Sequence, residues 1–292
     1  RRTHASLAAL LEEDTRMTTL VRALCASLIT FALAFSGATA HAQSGKTEVL
    51  WLGQSAFKIT TPKGKVIVID PYLTKNPKTP AQYKDLKALG HVDLILVTHG
   101  HFDHTADLPA LAKLTGAPVM LNADMGTTYD MLGILPGKQM VRFNKSGPLQ
   151  PLGPGITVTM VHAEHSSSVV HEDPETKKKS VHQGGEPAGY IIKLENGFTI
   201  YHAGDTGIFS DMKIIGSYYK PDLALLPIGG HFTMDPAHAA YATRTMLKPK
   251  HVVPMHYATF PPLKGTPAQF KKALGKSRTK VHAMQPGDTI KF

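Results

Sequence analysis

Thiol chemistry is almost absent from this chain. Cysteine occurs once in 292 residues, at Cys25, within a segment expected to be removed. The mature protein would then hold neither a disulfide nor a Cys-ligated zinc, and any metal must be bound by histidine and carboxylate. Long apolar runs are also lacking: no stretch reaches the roughly 18 residues of a membrane span. Aromatic residues make up 7% of the sequence, with one tryptophan, and offer no platform for stacked bases. The formal charge is +10, yet the basic residues are scattered, with only short clusters such as Lys177-Lys178-Lys179 and Lys271-Lys272. No basic stripe tracks a phosphate backbone, so nucleic acid is not the expected partner. What is present is 42% hydrophobic content with 25 glycines and 21 prolines, which suits a loop-rich α/β protein with a sizeable core.

The first 42 residues read as an address. From Met17 a short positive start leads into an apolar block, Ala23 to Phe35, and then to Ala40-His41-Ala42. That is the pattern of a secretory signal peptide with cleavage after Ala42, and residues 1–16 read as sequence upstream of the start. The expected mature domain is 43–292, located in the periplasm or outside the cell, with no membrane span once the signal is cleaved.

The rest of the chain is organised around Thr98-His99-Gly100-His101-Phe102-Asp103-His104. Four of these seven residues can bind a metal, and they follow the apolar run 94–97, which reads as a buried strand. Alternate side chains of an extended backbone point the same way, so His99 and His101 can converge on one ion. Asp103 and His104 come round from the far side of the loop at a spacing suited to a second ion.

Three further strand-like segments end in polar clusters. The alternating run 155–161 leads to His162-Ala163-Glu164-His165, the returning strand 198–201 to His202-Ala203-Gly204-Asp205, and the strand 251–256 ends at His256. Strand character is also expected at 48–59 around a glycine turn, at 66–69 ending in Asp70, and at 118–121. Helical spacing appears at 106–114, 237–247 and 267–274. Asp222 to Gly229 matches Asp93 to Gly100 in pattern, a hint of two related halves. The connection 72–90 reads as surface loop with a short helix. The polar segment 169–185 lacks periodicity and reads as a mobile lid or a disordered insert. Asp70 could hydrogen-bond a ligand histidine. On residues alone, His162 and His165 compete equally for the third ligand position.

This ordered set of motifs resembles the metallo-β-lactamase superfamily, and within it the metal-dependent hydrolase branch related to bacterial ascorbate-6-phosphate lactonase. The stretches that carry the resemblance include Leu52-Gly53-Gln54-Ser55-Ala56-Phe57, the 98–104 loop, Ala163-Glu164-His165-Ser166-Ser167, Gly204-Asp205-Thr206 and Met255-His256-Tyr257. The resemblance implies an α/β fold, a four-layer αββα sandwich. It implies that His99, His101 and His165 hold one ion and that Asp103, His104 and His256 hold a second, with Asp205 bridging. Two divalent ions are expected, zinc or manganese, with iron fitting the same donors.

The function so implied is hydrolysis of an ester, lactone, amide or phosphodiester by a metal-bound hydroxide, on a small-molecule substrate. Asp103 could also orient the water. His231 is a candidate contact to substrate or transition state, and Tyr257 and Ser167 are weaker pocket candidates. For His202 a core role is at least as well supported, and His171 and His182 read as surface residues. A metal-dependent nuclease is one alternative, suggested by the basic charge. A non-catalytic periplasmic metal-binding protein is another, opposed by the Asp103-His104 pair, which supplies a second site where capture needs one. β-Lactam hydrolysis is not expected, and the sequence leaves room for an oligomer.

Overall fold

The structure is a computed structural model that describes residues 45–292. The signal-peptide reading, Met17 and Cys25 lie outside the described residues. Within these, alternation of side chains along each strand sets the architecture. In β1 (Glu48–Gly53), Val49 and Trp51 face one way while Leu50 and Leu52 face the other, and all four are buried. A strand buried on both faces needs a layer on each side.

The first sheet adds β2 (Ala56–Thr60), β3 (Val66–Ile69), β4 (Leu94–Leu96), β5 (Val119–Asn122) and β6 (Met140–Phe143), with β16 (Thr289–Lys291) on the far edge. Its order is β16-β1-β2-β3-β4-β5-β6. The second sheet contains β7 (Pro148–Leu149), β8 (Thr157–His162), β11 (Ala188–Lys193), β12 (Thr199–His202), β13 (Leu223–Pro227), β14 (His251–Met255) and β15 (Lys280–Val281). It runs β15-β14-β13-β12-β11-β8-β7.

Three buried clusters define the layers. Between the sheets, Trp51, Phe57 and Leu96 meet Met160, Tyr190 and Leu225. Outside the first sheet, Leu52, Val97 and Leu121 pack on α2 (Leu108–Thr115) and α3 (Ala123–Met131), which follow the single turn α1 (Phe102–Thr105). Outside the second, Tyr201, Ala224 and Leu226 pack on α4 (Met212–Ile214), α5 (Pro236–Tyr241), α6 (Pro267–Leu274) and the turns beside them. The molecule is the expected four-layer αββα sandwich. Among the described residues no helix is long and apolar enough to cross a membrane.

The two halves correspond. In each sheet a strand pairs antiparallel with one neighbour and parallel with the next: β3 with β2 and β4, β12 with β11 and β13. Asp93 and Asp222 open the matching strands β4 and β13. Each accepts a backbone hydrogen bond at the start of the neighbouring strand, from Val66 N–H (2.9 Å) and Thr199 N–H (2.9 Å). Each also pairs with a lysine at 2.8 Å, Lys65 and Lys250.

Several elements depart from the sequence reading. Residues 169–185 hold an antiparallel hairpin of β9 (Ser168–Glu172) and β10 (Lys179–Gln183). Its one buried apolar side chain, Val169, packs under the first sheet's outer cluster, while Val170 and Val181 stay exposed. Alternation is masked because Val169 is the hairpin's one buried position and β10 has none. The helix expected over 237–247 keeps α geometry to Tyr241 and then widens into a π-turn from Ala242 to Leu247. The connection 72–90 carries two 3₁₀ turns, Ala81–Tyr83 and Leu86–Leu89. The helix read over 106–114 begins at Leu108, in α2, after a turn at 106–107 that separates it from α1, and α3 and β6 were not expected.

The sheets are also joined at the edge where parallel strands end. Tyr190, fully buried, donates its hydroxyl to Val97 O at 2.5 Å, and Ala188 N–H donates to Thr98 O at 3.0 Å. Tyr190→Phe would leave the Val97 carbonyl short of a partner just before the 98–104 loop. Stability should fall by about 1–3 kcal/mol, read as a lower urea midpoint with an unchanged m-value; an unshifted midpoint would remove this tie from the account.

Candidate metal centre

The ends of β4, β12 and β14 point to one edge of the sandwich. After β4 the chain turns through His99-Gly100-His101 into α1. Glycine is needed there because β9 lies against the loop: a Cβ on Gly100 would stand 2.8 Å from Ser168 O and 3.0 Å from Val169 Cγ2. Gly100 N–H donates to Ser167 Oγ (3.1 Å), whose hydroxyl donates to Gly184 O (2.8 Å). After β12, Gly204 adopts φ +63°, a left-handed conformation, with a Cβ position only 2.6 Å from Ala188 O.

Two groups of donors result. His99, His101 and His165 form one, with every ligand atom within 4.8 Å of the others; Asp103, His104, Asp205 and His256 form the second by the same measure. His99 Nε2 lies 2.9 Å from His101 Nδ1. Asp205 Oδ2 is 2.9 Å from His256 Nε2 and 3.7 Å from His165 Nε2, and Asp205 Oδ1 is 3.4 Å from His104 Nε2. Asp205 therefore stands between the groups.

Outer partners fix the orientations of these donors. His104 Nδ1 donates to Asp70 Oδ2 at 2.8 Å, turning Nε2 toward the centre. Asp70 also accepts from Thr98 N–H (2.8 Å) and the Thr98 hydroxyl (2.7 Å), and that hydroxyl lies 3.1 Å from His99 Nδ1. Gln54 was not singled out by the sequence reading, although it falls in one of the resembling stretches. Its Nε2 lies 2.8 Å from both Asp103 Oδ2 and His256 Nε2.

Of the other residues named from sequence, His162 ends β8 with its side chain 41% exposed, 3.4 Å from Glu164, and belongs to neither donor group. His202 is buried and saturated, lying 2.9 Å from Ser55 O and accepting from Gly204 N–H at 3.1 Å. Tyr257 donates its hydroxyl to Met284 O and packs on Trp51. His231 has φ 63° and lines a neighbouring open cavity with Asp235 and Pro236. His171 and His182 sit on the β9–β10 hairpin.

Electrostatics follow from burial against pairing. Burial disfavours the cationic form of His104, but the carboxylates of Asp205, Asp70 and Asp103 outweigh it and hold its pKa well above the ordinary histidine value. For His256 the same contest, decided by Asp205 and Asp103, gives about 9. Burial alone would raise Asp103 and Asp205. The facing histidines instead bring Asp103 to about 2 and Asp205 well below the carboxylate range. Burial, reinforced by the charge on His104, lowers His99.

The arrangement suits cations. His104 Nε2 and Asp205 Oδ1 are buried without a hydrogen-bond partner, facing one another. Unpaired buried polar atoms are costly, and a divalent ion accepts both kinds of donor. The donor set, five imidazoles and two carboxylates, fits zinc, manganese or iron.

A cavity of about 420 Å³ opens above the centre, lined by His101, Asp103, His165, Asp205 and His256 together with Phe102, Phe232 and Phe260. The profile of the beta-lactamase superfamily domain matches residues 65–257, two thirds of the chain. The chain belongs to the metallo-β-lactamase superfamily. It is 61% identical over 255 residues to a metal-dependent hydrolase of Polaromonas sp., spanning 87% of this chain and 93% of that protein. A metal-dependent hydrolase of Rubrobacter xylanophilus is 45% identical over 84% of this chain and 97% of its own. Among solved structures, the metallo hydrolase Igni18 of Ignicoccus hospitalis superposes with a TM-score of 0.71 at 36% identity, over 85% of this chain and 98% of that one. The chain is accordingly a metal-dependent hydrolase of this superfamily.

In chelator-treated protein, His104 and His256 should carry protons at pH 7 that an incoming cation displaces. Zinc affinity should then rise between pH 7 and about 9, approaching about a decade per pH unit for each proton displaced. The stability these imidazoles lend the metal-free fold should be complete below about pH 6.5 and fade as pH climbs through the raised values. Chelator competition across the range reads the affinity, and a flat profile would contradict this charge assignment.

Proposed function

We propose that the chain is an exported binuclear hydrolase acting on an ester, lactone, amide or phosphodiester. The reading rests on one observation: two donor groups abut through Asp205 at the floor of a cavity. His99, His101 and His165 would hold one ion, Asp103, His104 and His256 the other, and Asp205 would bridge. Zinc and manganese are the favoured ions, with iron compatible. Such ions would acidify a water and polarise the bond it attacks.

The chain's own groups supply the rest. Asp103 borders the cavity with its side chain 13% exposed and is ionised throughout the physiological range. Its carboxylate can accept a hydrogen bond from the attacking water and orient it. Gln54, donating to that carboxylate, restricts its rotation. Asp70 and Thr98 keep His104 and His99 turned inward, so the site is arranged before substrate arrives. His231 borders the next cavity beside Phe232, their rings 4.3 Å apart, and would contact only a substrate reaching past that rim.

Export rests on the apolar block 23–35 followed by Ala40-His41-Ala42. N-terminal sequencing of the protein from the periplasmic fraction should begin at Gln43; a chain recovered from the cytoplasm with residues 17–42 intact would refute export.

Elemental analysis of the natively purified enzyme should find two ions per chain. His99→Ala with His104→Ala should lose them, and hydrolysis should drop by more than the roughly 10- to 100-fold that loss of an outer partner costs. Asp70→Asn keeps every ligand and should fall within that range. Retention of both metal and turnover by the double variant would defeat the proposal.

A further inference from the structure

The walls of the cavity carry a second kind of information. Phe102 is 60% exposed and Phe232 55% exposed, and both line this cavity. Among the described residues no other phenylalanine is as exposed. Phe260, half-buried, and Leu263 complete the apolar lining. Phe102 and Phe260 touch, with ring centroids 6.0 Å apart, and both rest on the buried Tyr72 ring at 5.8 and 6.4 Å. Tyr72 thus backs the two rings, while Phe232 enters from the loop after β13.

Equally informative is what does not reach the cavity. The chain has 32 lysines and arginines, yet among the described residues none lines it. A guanidinium or ammonium is the strongest and most specific partner for an anionic group recognised beyond the metals, and among the described residues the cavity has neither. Several lysines are instead engaged elsewhere, Lys65 with Asp93, Lys145 with Glu186 and Lys250 with Asp222. Exposed rings clustered at a concave polar centre are the mark of a ligand surface, since scattered exposure would need no such convergence.

We propose that the substrate presents an uncharged apolar body, aryl or alkyl, beside its cleavable ester, lactone or amide bond, held by Phe102, Phe260 and Phe232. The assignment rests on the hydrolytic reading above and narrows it away from phosphodiesters and phosphorylated sugars. Phe102 lies between the proposed ligands His101 and Asp103, so the apolar contact falls within one residue of the reacting centre.

The test uses the metal-loaded full chain with two probe series. Turnover is measured on p-nitrophenyl esters from acetate to hexanoate and on bis-p-nitrophenyl phosphate. Binding is measured by calorimetry with the matching carboxylates and with inorganic phosphate. Both kcat/KM and affinity should rise about two- to fourfold per added methylene, as burial of each CH₂ implies, and hexanoate should be preferred to the phosphodiester. Phe102→Ala and Phe232→Ala should each flatten the slopes while elemental analysis finds the metals retained. Phe232 adjoins no proposed ligand in sequence, so its variant separates apolar contact from damage to the loop. Flat slopes in the unmodified enzyme, or preference for phosphate and phosphodiester, would overturn the apolar assignment even with hydrolysis intact. Binding that strengthens with chain length while no ester is cleaved would uphold the pocket and defeat ester hydrolysis.

Discussion

A buried carboxylate between imidazoles is the constraint on which the site depends. Asp205 is 3% exposed and lies within 4 Å of His104, His165 and His256. An isolated charge at that depth would be strongly destabilising, so a fold that keeps it must surround it with groups able to share positive charge. Those groups come from the loop after β4, the turn after β8 and the end of β14, and no short segment of chain could bring them together. The sandwich does so because its parallel strands end at a common edge, where α/β sheets place their sites.

The edge is stiffened by a second buried carboxylate. Asp70, fully buried at the end of β3 with φ 48°, grips His104 directly and His99 through the Thr98 hydroxyl. One side chain thereby orients a member of each donor group. A change at Asp70 would propagate to both, which makes the two halves of the centre energetically coupled although the two donor groups have no residue in common. The same economy holds for Gln54, which reaches Asp103 and His256 from a turn remote from both in sequence.

The parts legible in the sequence were those whose physics is local. Buried strands such as 94–97 and 251–256 announce themselves by apolar runs, and the 98–104 loop announces itself by the density of donors after one. Which of His162 and His165 faces inward was illegible from spacing, because it depends on where β8 ends and the chain turns. The structure ends that strand at His162 and leaves its ring beside Lys145 and Glu164. The β9–β10 hairpin was hidden for a similar reason: its register is set by Val169 packing under a distant sheet, not by any alternation of its own. Helix α3, carrying Gly126, Thr127 and Thr128, has weak helical propensity and is held by the burial of Met125 and Tyr129 and by the Asn122 cap. Gln54 and the phenylalanines of the rim have meaning only once the cavity exists.

Charge and chemistry are separated in space here. A formal charge of +10 shapes long-range encounters, while the cavity presents rings and donors suited to a metal. Net charge read from composition therefore points toward phosphate, and the lining points away from it. The lining is the better guide, because specificity is decided by groups that contact the substrate after water has been displaced, where the Debye-screened surface field contributes little. Phe102 makes the point within one loop: its neighbours His101 and Asp103 turn toward the centre, and its own ring turns to the space above it. Donor spacing fixes the backbone there, so the residue at position 102 can change what the cavity wall presents without altering the donors on either side of it.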